Sequence, residues 1–267
     1  MLILIFAPVD TRITSISLKG ALLAMADLAM PRVCVVCGRA LLLRERHICT
    51  LCGAGLPLTY FARQRDNPMA LAFNSMIQKE IDLAEQPACE PFSYAAALIF
   101  YSGSSLYKNI PRRLKYGRDF GEGRYFARLL GRELAGSPLF SDVDKVIPVP
   151  LHPLRRWRRG YNQAEVIAKG LVEGFGEAGH GAPAMEKGLL RRVRKTMTQT
   201  KLHRSQRYAN VRSAFTARAP AEVPRHVLLV DDVFTTGATL CACERALRAV
   251  LGKDVRISAA TLAYVGR

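Results

Sequence analysis

Residues 227–240 read Val-Leu-Leu-Val-Asp-Asp-Val-Phe-Thr-Thr-Gly-Ala-Thr-Leu. An apolar run, Val227 to Val230, ends in two adjacent carboxylates, Asp231 and Asp232. A short loop, Thr235-Thr236-Gly237-Ala238-Thr239, follows and opens into a helical pattern. A strand that ends in acids and then in a hydroxyl- and glycine-bearing turn at a helix start suits a sugar phosphate. The acids accept hydrogen bonds from ribose hydroxyls, and the turn donates backbone N–H groups to a phosphate.

Around this stretch, residues 93–267 alternate strand-like and helix-like patterns, which argues for an α/β domain with a parallel sheet flanked by helices. Strands are expected at 93–101, 145–149, 188–193, 226–230 and 255–262. Helices are expected at 104–116, kinked or restarted at Pro111, and at 120–135, 160–174, 203–210 and 237–251. The strand at 145–149 ends in Pro150-Leu151-His152-Pro153, followed by Arg155-Arg-Trp-Arg-Arg159 and Gly160-Tyr-Asn-Gln163. Ligands of parallel α/β sheets bind at the carboxyl ends of strands. This turn and the acid pair are therefore expected to face one pocket. Arg155, Arg156, Arg158 and Arg159 supply charge for a diphosphate; the same cluster also reads as a solvated basic turn.

From Lys187 to Ala221 the chain carries ten Lys or Arg and no acid. Its core runs Arg191-Arg-Val-Arg-Lys-Thr-Met-Thr-Gln199, with Arg194 and Lys195 as candidate substrate contacts. Such density beside a phosphate pocket fits a lid that closes over a polyphosphate. It fits a nucleic-acid track equally well, although Tyr208 and Phe215 are its only aromatics, which is thin for base stacking. His203 reads as a surface histidine rather than a general base.

At 267 residues there is room for one medium domain and a small one. The formal net charge of +17 favours polyanionic partners: nucleic acid, polyphosphorylated small molecules or anionic lipid. The start, Met-Leu-Ile-Leu-Ile-Phe-Ala-Pro, is too short to span a membrane and lacks the basic flank of a signal peptide. No later run is long enough, so a cytoplasmic protein is expected. Residues 16–30 have the loose pattern of an amphipathic helix, and Met25 and Met30 are alternative starts. The expected organisation is an N-terminal extension over 1–30, a cysteine-rich unit over 31–57, a linker with one short helix over 58–92, and the α/β domain over 93–267.

The seven cysteines form two tight pairs, Cys34-x2-Cys37 and Cys49-x2-Cys52, with Cys89, Cys241 and Cys243 left over. An odd count with two tight pairs argues for a metal rather than a disulfide framework. Each pair is followed by glycine, Gly38 and Gly53, and eleven residues separate the pairs. Tetrahedral zinc takes four thiolates. Glycine at a positive-φ position turns backbone N–H groups toward the sulfurs. A structural Zn²⁺ ribbon follows, with Cys34, Cys37, Cys49 and Cys52 as ligands and His47 outside the shell. So small a unit depends on its metal to fold. Cys241 and Cys243 are expected to be core or surface thiols.

The 227–240 motif closely resembles the phosphoribosyl-diphosphate motif of type I phosphoribosyltransferases. That resemblance implies that Asp231 and Asp232 contact the ribose hydroxyls, that Thr235, Thr236, Gly237, Ala238 and Thr239 bind the 5-phosphate, and that Mg²⁺ bridges diphosphate and ribose. It further implies that the diphosphate sits at Leu151 and His152, where such enzymes use an unusual peptide geometry, with Arg158 and Arg159 nearby. More specifically, the cysteine ribbon, Arg158-Arg-Gly-Tyr-Asn-Gln163, Thr196-x2-Gln199 with Arg207 and Asn210, and the 227–240 motif together resemble the ComF family of bacterial proteins. The resemblance spans roughly residues 30–265. It implies a zinc ribbon joined to a type I phosphoribosyltransferase domain and an association with DNA uptake in competent bacteria. Many members look as if they carry further cysteine pairs after the ribbon. Here residues 58–92 hold only Cys89, and Phe73-Asn74 stands where a knuckle is expected. Two functions are compatible with these features. One is binding of phosphoribosyl diphosphate, with transfer of phosphoribose to an acceptor that no residue names. The other is binding of single-stranded DNA, alongside competence proteins, with the phosphoribosyl site used for binding or regulation.

Overall fold

The computed structural model describes residues 31–83, 92–116, 120–179, 181–193 and 214–266. The chain divides into two compact units with the boundary between Ala54 and Gly55. The expected N-terminal extension, Cys89, and most of the basic segment, including Arg194, Lys195 and the 203–210 helix, lie outside the described residues.

In the first unit Val33 and Ala40 form an antiparallel bridge, and helix α1 spans Thr50–Ala54. Val35, Val36, Leu41 and Ile48 are buried with Cys34 and Cys49. That handful of side chains is a small core for a separate unit.

The second unit holds a five-stranded sheet in the order β1-β7-β6-β2-β3, with every pairing parallel. After a 3-10 turn at Phe61–Arg63 comes helix α2, Pro68–Leu83. Strand β1, Ala95–Phe100, leads through a 3-10 turn, Leu106–Lys108, into α3, Asn109–Tyr116. Pro111 lies in the first turn of α3, where its missing N–H costs nothing. Then follow α4, Phe120–Ala135; β2, Lys145–Pro148; α5, Pro153–Arg159; and α6, Gln163–Glu177. Short strands β3, Ala184–Met185, β4, Leu190–Arg192, and β5, Phe215–Ala217, precede β6, His226–Phe234. Helix α7, Ala238–Leu251, and β7, Arg256–Tyr264, close the chain.

Val227 through Val230 are all fully buried, so both faces of β6 are covered, as a central parallel strand requires. Helices α4 and α6 pack on each other and on the sheet, as do α2 and α7. Close approach of α4 and α6 depends on glycine: a Cβ at Gly174 would lie 2.4 Å from the Arg128 carbonyl oxygen.

The structure departs from the sequence expectations in several places. Residues 58–92, expected to be a polar linker with one short helix, contain the 16-residue α2. Its Met69, Ala70, Phe73 and Ile77 are buried. Asn74 ties α2 to the chain before β1: its Nδ2 donates to the Ser93 carbonyl and its Oδ1 accepts from the Ser93 amide. The strand expected at 188–193 forms outside the main sheet, as the antiparallel β4–β5 pair. The helix expected from residue 160 begins at Gln163, because Gly160 in the left-handed region (φ 81°) ends α5 and Asn162 caps α6.

Candidate functional site

Strand β6 runs on through the acids to Phe234, beyond the expected end at Val230. Its two neighbours explain why. On one side β7 stays paired as far as Phe234 with Tyr264. On the other, β2 pairs only as far as Pro148 with Val230, and the last bond is from the Val149 amide to the Val230 carbonyl, 2.9 Å. Asp231 and Asp232 therefore stand where β2 has left the sheet. The helix after β2 leads outward to β3, and the helix after β6 leads the other way to β7. Adjacent strands whose connections diverge open a crevice at their carboxyl ends, the usual ligand position of such sheets. Leu151-His152 and Asp231–Thr239 follow these two strand ends.

Burial and the neighbouring Asp232 push the Asp231 carboxyl up to about 7. Its Oδ1 accepts the Asp232 amide at 2.8 Å. Lys115 Nζ, from the end of α3, lies 3.0 Å from Asp232 Oδ2. Arg192, stacked over the Phe215 ring, adds positive charge near Asp231. Its own pKa is lowered, chiefly by burial and then by Arg155. Lys115 and Arg192 are site residues the sequence reading did not single out. Both sit in basic runs, where spacing alone does not say which cation meets the acids.

Thr235 and Thr236 are exposed. Gly237 caps α7 with φ 79°. A Cβ there would lie 2.7 Å from the Phe234 ring, so conformation and space both demand glycine. First-turn amides of a helix have no carbonyl partner within it, and together with the dipole they favour an anion. At the other strand end, His152 caps α5, its Nδ1 accepting from the Leu154 amide at 3.3 Å. The unusual peptide geometry implied at Leu151-His152 is absent; no cis bond occurs among the described residues.

The Arg158–Gln163 motif is mostly scaffolding. Arg159 donates to Gln163 Oε1 at 2.7 Å. Asn162 Nδ2 donates to the Val149 carbonyl at 3.0 Å, fixing the end of β2. The Tyr161 hydroxyl donates to the Leu114 carbonyl, next to Lys115. The motif thus connects the β2 turn to the chain segment that carries the counter-ion of Asp232. Arg158 is exposed on α5. Cys241 and Cys243 are buried core thiols; burial and then Asp231 push the Cys243 thiol up, so it stays neutral.

In the first unit the ligand atoms of Cys34, Cys37, Cys49 and Cys52 all lie within 4.8 Å of one another. A tetrahedral ion with Zn–S near 2.3 Å sets its sulfurs about 3.8 Å apart, and Cys37 Sγ to Cys49 Sγ is 3.8 Å. The Cys49 amide points at Cys34 Sγ and the Cys52 amide at Cys49 Sγ, both at 3.4 Å. The four-sulfur donor set fits a soft divalent ion. Gly38 takes the expected positive φ, 76°. Gly53 does not: it lies inside α1, its amide bonded to the Cys49 carbonyl at 2.8 Å, so a helical turn closes the second knuckle. Between the knuckles, the buried Glu45 accepts from the Leu42 amide and from the Thr50 amide and hydroxyl. Those donors pull it down to about 2. It orders the loop, and the sequence reading passed over it.

A scan against protein-family models gives no match. Among curated proteins, the chain is 34% identical over 151 residues to Competence protein F of Haemophilus influenzae, covering 55% of this chain and 63% of that protein. It is 31% identical over 149 residues to Competence protein ComFC of Streptococcus pneumoniae, covering 56% of this chain and 60% of that one. To the DNA utilization protein YhgH of Salmonella typhi it is 36% identical over 112 residues, 42% of this chain and 45% of that one. These relatives, at 31–36% identity, support a ComF family protein. Its matches span roughly half to three fifths of these relatives. The chain thus has a four-cysteine cluster that could hold a metal ion and a parallel α/β unit whose acid pair lies at the sheet's switch point.

Proposed function

We propose that the crevice between β2 and β6 binds phosphoribosyl diphosphate together with Mg²⁺. The observation that carries this is the acid pair, crowded and partly buried, on the strand that leads into a glycine-capped helix start. Asp231 and Asp232 accept the ribose hydroxyls, and the Thr235–Thr239 loop receives the 5-phosphate. Leu151, His152, Arg158 and Arg159 border the diphosphate, joined by Arg194 and Lys195. The bound Mg²⁺ would neutralise the departing diphosphate. Transfer would break the bond from the anomeric carbon to the diphosphate oxygen and form one to an acceptor nucleophile. Positioning and charge neutralisation carry such a step, and no side chain of the site is placed as a general base. Titration calorimetry with phosphoribosyl diphosphate and Mg²⁺ tests the reading. Heat of binding is expected from the native chain and none from the Asp231→Asn/Asp232→Asn variant; equal heats from both would refute the assignment. We further propose that the four cysteines hold a structural zinc. Metal analysis should give one zinc per chain, and zero would remove the ribbon.

A second reading has its own support. Relatives are named for competence and DNA utilization, and the chain carries +17 net charge. Single-stranded DNA is then a second ligand, handled with competence proteins on the cytoplasmic side. No helix among the described residues is long and apolar enough to cross a membrane. Steeply salt-dependent binding of an oligonucleotide supports it; no binding at low salt overturns it.

A further inference from the structure

Helix α5 is short and capped at both ends. His152 caps its start, Pro153 occupies the first turn, and Gly160 ends it with its amide bonded to the Arg156 carbonyl at 2.7 Å. Trp157 on this helix is 84% exposed and Leu154 54% exposed. Tryptophan is among the more buried residue types on average, so an indole left almost bare needs an occupant. At about 100° per residue, Leu154, Trp157 and Arg158 fall within an arc of roughly 100° on one face of the helix. The rest of the helix is basic. Arg156 is engaged by Glu165 at 3.0 Å and Arg159 by Gln163. Arg158 is exposed with no ion pair among the described residues.

We propose that Trp157 is a stacking platform for an unpaired base of a single-stranded polynucleotide, with Arg158 taking the adjacent phosphate. The proposal rests on the single-stranded nucleic acid reading above and adds a location to it. An exposed aromatic set among arginines is the combination that binds strands without reading sequence: the ring takes any base by its π-face and the guanidinium takes the backbone. Charge selects this occupant over an apolar one, since every other residue of the Arg155–Arg159 run is an arginine. The helix is formed without a ligand, its ends capped by His152 and Gly160, which keeps the ordering cost of binding to the exposed side chains.

The chain contains a single tryptophan, so its intrinsic fluorescence reports on this position alone. The full chain is titrated with dT20 and, separately, U20, at low and moderate salt. Tryptophan emission and the anisotropy of an end-labelled strand are read together. Quenching that tracks the anisotropy is expected, with Trp157→Ala weakening binding roughly five- to hundred-fold and Trp157→Phe restoring most of it. Arg158→Ala should lower the salt slope by about 1. Both strand arms support the platform, and the tighter one says whether it serves DNA or RNA. Anisotropy binding without quenching, and unchanged in Trp157→Ala, overturns the platform and leaves the nucleic-acid reading standing. No binding at low salt in either arm overturns both. Self-association of the native chain that Trp157→Ala abolishes assigns the face to a second copy and overturns the platform. Circular dichroism of each variant confirms that the fold is kept, as expected for a bare side chain.

Discussion

The two ends of β6 both bring acids against a buried strand, and they treat them in opposite ways. At the amino end His226 is fully buried. Its Nδ1 lies 2.6 Å from Asp142 Oδ1 and its Nε2 2.8 Å from Ser258 Oγ. Asp142 is also held by Arg256 at 2.8 Å, and Asp144 accepts the amides of Arg225 and His226. His226, Asp142, Asp144 and Ser258 there each have a partner inside the fold. At the carboxyl end two carboxylates stand side by side, and the ion pair holding them, from Lys115 to Asp232, comes from a half-exposed lysine. Asp231 is forced toward its protonated form. An end that satisfies itself serves the fold. An end held in mutual repulsion beside an anion-ready helix start is built to be completed from outside.

The sharpest way to break this contrast is to remove one group from each end. His226→Ala leaves a cavity and strips Ser258 of its partner, and should cost about 3 kcal/mol of unfolding free energy. Asp231→Asn removes a repelled charge and should leave stability within about 1 kcal/mol of the native value, or raise it. Chemical denaturation measures both. If the two substitutions cost the same, the ends do not differ in kind. In ligand binding the order reverses: Asp231→Asn abolishes the calorimetric signal with phosphoribosyl diphosphate, and a refolded His226 variant keeps it.

Acidity gives a second, smaller test. Asp231 titrates higher folded than unfolded, so its contribution to stability is present at low pH. It is lost as pH rises from the ordinary value of 3.8 through about 7. His226 is pushed below its ordinary 6.5, chiefly by burial, so its contribution is present above that value and lost as pH falls beneath it. Below pH 6.5 the two contributions oppose each other, so they are separated by comparing the native profile with that of Asp231→Asn. Asp231→Asn should flatten the decline toward pH 7 and leave the acid limb intact. Native and Asp231→Asn profiles that run parallel from pH 3.8 to about 7 would contradict the strain assigned to the acid pair.

How much of this was legible in the sequence depended on whether a signal was local. The β6–loop–α7 unit and the cysteine quartet announce themselves because their chemistry is carried by adjacent or closely spaced residues. The switch point was half legible. The Pro150 turn and the acids could be assigned to strand ends, but only the pairing order shows that those strands are neighbours. Lys115, Arg192 and Glu45 were missed because each acts on a partner its own sequence neighbourhood does not reveal: Lys115 and Asp232 are far apart in the chain. The 58–92 segment was read as a linker because its prolines and polar residues obscure a helical stripe. Pro68 starts α2, and Met69, Ala70, Phe73 and Ile77 repeat at helical spacing to form its buried side. The 188–193 strand was recognised by composition, which cannot say which sheet it joins.

The smallest expected effect lies at Lys115, and it asks whether the counter-ion is scaffold or stand-in. Its pair with Asp232 is partly exposed, so Lys115→Met should change stability by less than about 1 kcal/mol. Lys115 also draws the Asp231 carboxyl down, against burial and Asp232, which push it up. Without the ammonium Asp231 should ionise at still higher pH. In the proposed site that carboxylate accepts ribose hydroxyls, which an ionised group does better, so binding of phosphoribosyl diphosphate with Mg²⁺ should strengthen as pH rises. In Lys115→Met the midpoint of that rise should move upward. Calorimetric titrations at a series of pH values read the midpoint, and the single variant Asp231→Asn marks the signal expected when the carboxylate is gone. A midpoint that stays in place when the lysine is removed would mean that Lys115 does not tune the acid pair, and the carboxyl end of β6 would then be strained by burial and Asp232 alone.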